Sequence, residues 1–255
     1  MLVDSHCHLS QFHNPVEVLE QAAVHGVNEV MALSEDLESM RAVIALREML
    51  EPATRPAVRY GLGLHPAWVV EQPKAAVEQA FVFLAEHLAA ADVLGEVGLD
   101  HKWARTPEAQ QWQAEMLERQ LALAAACGKP INLHSRRCLR QVMDAAIAFK
   151  KRTGLNAQLH WFTQSKKLVR LCNAAGVYIS VGPTVLVDEQ TQAVALEIAD
   201  ALLLLETDAP VRIGDYPGHP QTVRAVAEKM AQLKGCCWEE VAVRSTENYR
   251  RYLGG

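Results

Sequence analysis

Residues 117–136 read LERQLALAAACGKPINLHSR, and the fold is decided by how this stretch changes character. Up to Ala126 the leucines and alanines recur at helical spacing. Gly128 then stops the helix, and Pro130 prevents it from resuming. Ile131 to His134 follows at once as a short apolar run ending on a side chain that can bind a metal. The same stop, a glycine with a strand directly behind it, stands at His25-Gly26-Val27 and Ala175-Gly176-Val177. Thr106-Pro107 reads as a helix N-cap with proline at the first helical position.

Extended in both directions, the pattern gives eight candidate strands. They are Leu2-Val3-Asp4, Val27 to Leu33, Ala57 to Leu64, Val93 to Leu99, Ile131 to His134, Gln158 to His160, Val177 to Val181 and Leu202 to Leu205. Helical patterns separate them, among them Val16 to Ala23, Met40 to Leu50, Ala75 to Ala90, Glu108 to Ala126 and Lys166 to Ala175. Such alternation predicts parallel βαβ units. Eight units in 255 residues is about 32 residues each, which suits an α/β fold of one (β/α)8 TIM-type barrel. An open doubly wound sheet is the other architecture with this alternation. No linker interrupts residues 1–255, so the expectation is a single domain.

Half the residues are hydrophobic, enough for a large core, and the net charge is −5. That balance does not advertise a nucleic-acid binder, although bound divalent cations would concentrate positive charge at a site. No apolar stretch is long enough to span a bilayer, and no secretory leader pattern precedes the first strand. With six cysteines and no C-x-x-C pair, the expectation is a cytoplasmic protein with reduced thiols. Nothing in the sequence marks a membrane or an obligate protein partner.

Polar side chains of one type gather where the strands end. His6 and His8 follow the first strand and His65 the third. Glu96 lies in the fourth, His134 and His160 end the fifth and sixth, and Asp208 follows the eighth. In a (β/α)8 barrel these ends converge on one face. His6 and His8 stand two apart, so on extended chain they share a side while Cys7 points away. The four imidazoles of His6, His8, His134 and His160 and the carboxylates of Glu96 and Asp208 form a nitrogen and oxygen donor set suited to Zn, Mn, Co, Ni or Fe, with Mg at a weaker position. Two such metals can activate water and clamp the oxygens of a phosphoryl displacement. Asp208 is the candidate general base. Asp4 and Asp100 are candidates to orient a ligand imidazole from behind, or else simple strand-end caps.

The motifs Asp4-Ser5-His6-Cys7-His8-Leu9, Gly63-Leu64-His65-Pro66, Gly95-Glu96-Val97-Gly98-Leu99-Asp100, Leu133-His134-Ser135-Arg136, His160-Trp161-Phe162 and Glu206-Thr207-Asp208-Ala209-Pro210 stand in one order along almost the whole chain. Together they resemble the TatD family of metal-dependent hydrolases, and Thr246-Glu247-Asn248-Tyr249 is similar to that family's ending. The resemblance implies an amidohydrolase-related barrel with two divalent metal ions. His6, His8 and Asp208 would hold one, His134 and His160 the other, and Glu96 would bridge them. It also implies deoxyribonuclease activity on DNA ends, with removal of D-amino acids from tRNA linked to some relatives. The chain departs from the family pattern at Trp161-Phe162-Thr163-Gln164 and at Val211-Arg212-Ile213-Gly214-Asp215, both beside the expected mouth.

The reading that follows is an exonuclease-type phosphodiesterase with nucleic acid, DNA first, as substrate. A metal-dependent ester or amide hydrolase such as a D-aminoacyl-tRNA deacylase is the alternative, and a non-catalytic metal-binding scaffold the third reading. Arg136 would grip an anionic phosphate, and His65 would bind phosphate or donate a proton. Their plain alternatives are a surface ion pair and a turn hydrogen bond before Pro66. Trp68, Trp103 and Trp161 are candidates for base stacking or for loop packing. Lys102, Arg105, Arg136, Arg137, Lys166, Lys167 and Arg212 suggest a basic rim, partly cancelled by Glu35, Asp36, Asp188 and Asp215. His13, His25, His87, His101 and His219 carry no pattern and read as structural or solvated.

Overall fold

The computed structural model describes residues 1–50 and 56–254, and its sheet follows the order of the chain. Its strands are β1 (Leu2–Cys7), β2 (Val27–Leu33), β3 (Ala57–Leu62), β4 (Val93–Asp100), β5 (Ile131–Arg136), β6 (Ala157–Leu159), β7 (Tyr178–Val181) and β8 (Leu203–Leu205). All neighbours pair in parallel, which requires a crossover after each strand. The crossovers carry α1 (Pro15–Val24), α2 (Leu37–Met49), α3 (Pro66–Glu71), α4 (Lys74–His87), α5 (Pro107–Cys127), α6 (Leu139–Thr153), α7 (Lys166–Ala175) and α8 (Glu189–Ala195). After β8 come α9 (Val223–Lys234) and α10 (Trp238–Tyr252).

The sheet closes on itself. Cys7 and Ala209 form a parallel bridge; the His8 amide donates to the Ala209 carbonyl at 2.8 Å and the Asp208 amide to the His6 carbonyl at 2.9 Å. Closure makes this a (β/α)8 barrel and excludes the open sheet. It also ties Asp208 to His6 across two hundred residues of chain.

The local signals act as the sequence indicates. Gly128 and Gly176 end α5 and α7 in left-handed conformation, with φ of 67° and 68°, a backbone that residues with a side chain rarely adopt. The Thr106 hydroxyl accepts from the Ala109 amide at 3.2 Å, capping α5. Several strand bounds shift by one or two residues from expectation, so that His134 lies within β5 and His160 just after β6. β1 runs on to Cys7, so His6 lies within the strand rather than after it. A short extra helix, α3, follows His65, with Pro66 in its first position; it ends because Gln72, preceding Pro73, is held extended.

Most of the core fills the shell between strands and helices. A separate apolar cluster takes Val3, Val93 and Tyr178 from strand starts, Met31 and Leu204 from mid-strand, and Tyr249 and Tyr252 from α10. Further along the strands the buried side chains turn polar: Asp4, Ser5, Asn132, Gln158, Ser180, Glu206 and Thr207. Most buried polar groups are hydrogen-bonded. Gln158 Nε2 donates to Ser180 Oγ at 2.9 Å and Ser5 Oγ at 3.2 Å, and Ser180 Oγ donates to Glu206 Oε2 at 2.5 Å. The barrel is thus sealed by hydrocarbon at one end and polar towards the other, where the strands' C-terminal ends open. Among the described residues no helix is long and apolar enough to cross a membrane.

Candidate metal centre

Two irregular strands place the central groups. On β4, Leu94 pairs with Ile131 but Val97 pairs with Leu133, so β4 carries an extra residue around Gly95-Glu96. A bulge of this kind re-aims a side chain, and here it turns Glu96 into the barrel, where it is 2% exposed. Gly98 lets β4 lie against β5, since a Cβ there would stand 2.1 Å from the His134 carbonyl oxygen. β1 has a similar irregularity between Asp4 and Cys7, around His6.

Four donor atoms from three parts of the chain then converge. His6 Nε2 lies 3.3 Å from His8 Nε2, 3.4 Å from Glu96 Oε2 and 3.3 Å from Asp208 Oδ1. His8 Nε2 lies 3.3 Å from Glu96 Oε2 and 3.1 Å from Asp208 Oδ1. A triangle of donors with edges of 3.3 to 3.4 Å, as His6, His8 and Glu96 form, can hold an ion roughly 2.0 Å from each corner, the length of a metal–nitrogen or metal–oxygen bond. The other Glu96 oxygen faces a second group. His134 Nδ1 is 2.7 Å and His160 Nε2 2.8 Å from Glu96 Oε1, and these two nitrogens are 3.3 Å apart. His65 Nε2 stands 3.6 Å from the same oxygen. Among the described residues, three overlapping sets from this cluster can hold a metal ion: His6, His8 and Glu96; His6, His160 and Asp208; His65, Glu96 and His134.

The imidazoles are fixed from behind, as metal ligands usually are. His6 Nδ1 meets Asn132 Oδ1 at 3.0 Å, His8 Nδ1 the Leu33 carbonyl at 3.2 Å, and His134 Nε2 meets Asp100 Oδ2 at 3.2 Å. His160 Nδ1 is buried without a hydrogen bond and faces Glu206 Oε1 at 3.8 Å. Asp100 therefore orients an imidazole. Asp4 does not: its carboxylate accepts from the His6 and Thr207 amides and the Thr207 hydroxyl, holding the β1–β8 seam. Asn132 and Glu206 were not singled out from sequence. The position of Asn132, two before His134 on one strand, was the available signal.

The cluster is strongly coupled electrostatically. Burial opposes the charge on Glu96, yet His160, His65 and His6 hold its carboxyl well below the usual carboxylate range. Asp208 is likewise depressed against burial, by hydrogen bonds from His6 and His8. Burial disfavours the imidazolium of His134 and His160, but their carboxylate partners raise them to about 9 and about 10. His8 is raised well above its ordinary value by Asp208 and Glu96, again against burial. His65 moves the other way: burial lowers it to about 3. Its Nδ1 accepts from the Ala67 amide at 3.1 Å, so the neutral ring carries its proton on Nε2, facing the cluster. The turn hydrogen bond and the place in the site belong to the same side chain.

Around the mouth, Asp208, Trp161 and Arg137 have left-handed backbones, with φ of 52°, 47° and 62°. Strain of this kind gathers where function demands a fixed side chain. Arg136 ends β5, two residues beyond His134, and is exposed. Trp103 is 45% exposed, with the Lys102 ammonium 5.9 Å from its ring, whereas Trp68 packs against the core. Lys166 leaves the expected basic rim, because it pairs with Glu197 at 3.4 Å beside Arg170. Glu35, at the exit of β2, lies 3.8 Å from His8 Nδ1 and is hydrogen-bonded by Gln11. Burial raises its carboxyl against the pull of His8. His25 and His87 bond to carbonyls on their own helices, and His219 caps a turn at Gln221.

Comparison with known proteins agrees with this fold. The TatD related DNase family profile matches residues 3–254. The chain is 30% identical to an uncharacterized metal-dependent hydrolase, YabD, of Bacillus subtilis, over 98% of both chains. It is 28% identical to the human deoxyribonuclease TATDN3, over 97% of this chain and 92% of that one. The crystal structure of YjjV, a TatD homologue from Escherichia coli, superposes with a TM-score of 0.84 at 26% identity, covering 100% of this chain and 98% of that one. A carboxylate ringed by imidazoles at the mouth of a closed barrel, in a chain matched from end to end, identifies this protein as a member of the TatD family of metal-dependent hydrolases.

Proposed function

We propose that the protein is a metal-dependent phosphodiesterase, a deoxyribonuclease that shortens DNA from an end with water activated at a binuclear centre. The observation that carries this reading is the division of Glu96: Oε2 faces His6, His8 and Asp208, while Oε1 faces His134 and His160. His6, His8 and Asp208 would hold one divalent cation and His134 and His160 the other, with Glu96 shared. Bound there, the cations would polarise the scissile phosphate and bring the pKa of water towards neutrality.

The chain's own groups supply the rest. Asp208, 14% exposed, can take the proton of an attacking water on its carboxylate. His65 presents Nε2–H to an oxygen of the substrate, and Arg136 offers a planar fork of donors matched to a phosphate. Arg136→Ala is expected to raise KM for a phosphodiester about tenfold, the loss of one charge-assisted contact, with little change in kcat. Steady-state kinetics on an oligonucleotide would show it, and an unchanged KM would remove Arg136 from the substrate site. Six unpaired cysteines fit a reducing compartment, the cytoplasm.

The same pairings give a pH signature. The stabilisation tied to His134 and His160 is complete below about pH 6.5, the ordinary imidazole pKa. It is lost as pH rises through about 9 and about 10. That tied to Glu96 and Asp208 is present above about pH 4 and lost in acid. Metal-depleted protein should therefore have its highest Tm near pH 5–6.5 and lose Tm towards pH 10. Added Zn or Mn should reverse the alkaline loss by displacing the same protons. Scanning calorimetry with chelator and with metal tests this; a metal-depleted Tm that climbs from pH 6.5 to 9 would contradict it.

The function itself is tested by restoring Mn, Mg or Zn to metal-depleted protein and assaying end-labelled single-stranded DNA beside D-aminoacyl-tRNA. Metal-dependent shortening of the DNA is expected. Deacylation without shortening would replace the phosphodiesterase reading with that of an ester hydrolase.

A further inference from the structure

The mouth of the barrel is electrically lopsided. A chain of contacts crosses it: Glu35 to His8 Nδ1 at 3.8 Å, His8 Nε2 to Glu96 at 3.3 Å, Glu96 to His134 at 2.7 Å. Beyond His134, on the same side of β5, comes Arg136. At the β4–β5 end stand Lys102, Arg105, Arg136 and Arg137, none in an ion pair among the described residues, together with the exposed ring of Trp103. At the β1–β2 end stands Glu35, 30% exposed at its side chain. Its hydrogen bond comes from the neutral amide of Gln11, and among the described residues no Lys or Arg pairs with it.

A polyanion laid across this mouth has one favourable direction. Its continuing phosphates gain from the cations beside β4 and β5. A phosphate on the far side of Glu96 would face the Glu35 carboxylate, which no Lys or Arg pairs with among the described residues, while His8 and the cation it would hold are committed to the central cluster. We propose that Glu35 is a specificity-determining residue that bars anions from the β1–β2 side of the site. The unit held there ends in a free hydroxyl and not in a phosphate, while the rest of the strand runs over the β4–β5 rim. The inference rests on the phosphodiesterase reading and adds to it which strand ends are accepted.

The test uses full-length, metal-loaded protein and one oligonucleotide sequence in four forms, with hydroxyl or phosphate at the 5′ and at the 3′ terminus. Wild type should favour the hydroxyl form of the attacked end roughly tenfold in kcat/KM, the scale of one like-charge repulsion at partly screened range. Glu35→Gln should bring that ratio close to one, chiefly by improving the phosphate form, and Glu35→Lys should invert it. A ratio unmoved by Glu35→Gln would overturn the proposal. So would loss of bound metal in that variant, which would make Glu35 a ligand instead of a filter. If wild type cleaves none of the four oligonucleotides with any metal, the phosphodiesterase reading fails, and that failure is distinct from a ratio that does not respond.

Discussion

Glu96→Ala is expected to lower hydrolytic activity at least about a thousandfold and to empty both halves of the centre. Every donor nitrogen of His6, His8, His134 and His160 lies within 3.4 Å of one Glu96 oxygen or the other. Without that carboxylate the four imidazoles face one another, with Asp208 left beside His6 and His8, Asp100 behind His134 and Glu206 behind His160. Two divalent cations brought close together would lose the anion that screens their repulsion. Glu96→Gln preserves the volume and one acceptor but not the charge, and should recover little activity. Metal content by plasma emission, measured beside the rate, distinguishes the causes. A variant that keeps both metals and loses less than tenfold in rate would show that Glu96 is not shared between them. The Glu96 amide donates to the Ser34 carbonyl at 3.0 Å whatever the side chain, so the strand should persist and circular dichroism should confirm a folded barrel.

Asp208→Asn should cost kcat roughly a hundredfold or more while changing KM only a few-fold, the pattern for loss of a proton acceptor used in the transition state. The substitution is mild for the backbone. Asp208 sits at φ 52°, a conformation that asparagine tolerates as well as aspartate, and its amide bond to the His6 carbonyl is untouched. What changes is the oxygen between His6 and His8, at 3.3 and 3.1 Å, which loses its charge and its capacity to hold a proton. Binding at the His6–His8 half should weaken as well, so rates must be compared at saturating metal. If kcat at saturation stays within fivefold of wild type, another group accepts the proton and Asp208 serves only as a donor atom.

Much of this was legible before any coordinates. The strand at Val27–Leu33 and the helix at Lys166–Ala175 have the bounds that the sequence pattern indicates. Their signals are local: a short, mostly apolar run directly behind a glycine, a glycine that turns left-handed, a hydrophobic period. His6, His8, His65, Glu96, His134, His160 and Asp208 could be picked out because a parallel barrel brings all strand ends to one face. The short helix after His65 was harder to see, since six residues are too few to show a period.

The sequence by itself determined the alternation of strand and helix and the kind of donor at each strand end, because both are written in spacing over a few residues. Only the tertiary structure decided who meets whom. The hydrogen bonds that close β1 onto the segment after β8 place Asp208 against His6. An extra residue in β4 gives one oxygen of Glu96 to each imidazole pair. Register put Asn132 behind His6 and left Asp4 to the seam, while helix packing took Lys166 away to Glu197 and left Glu35 facing His8. Such pairings depend on the stagger of a closed sheet summed over its whole circumference, and no local pattern of residues encodes that sum.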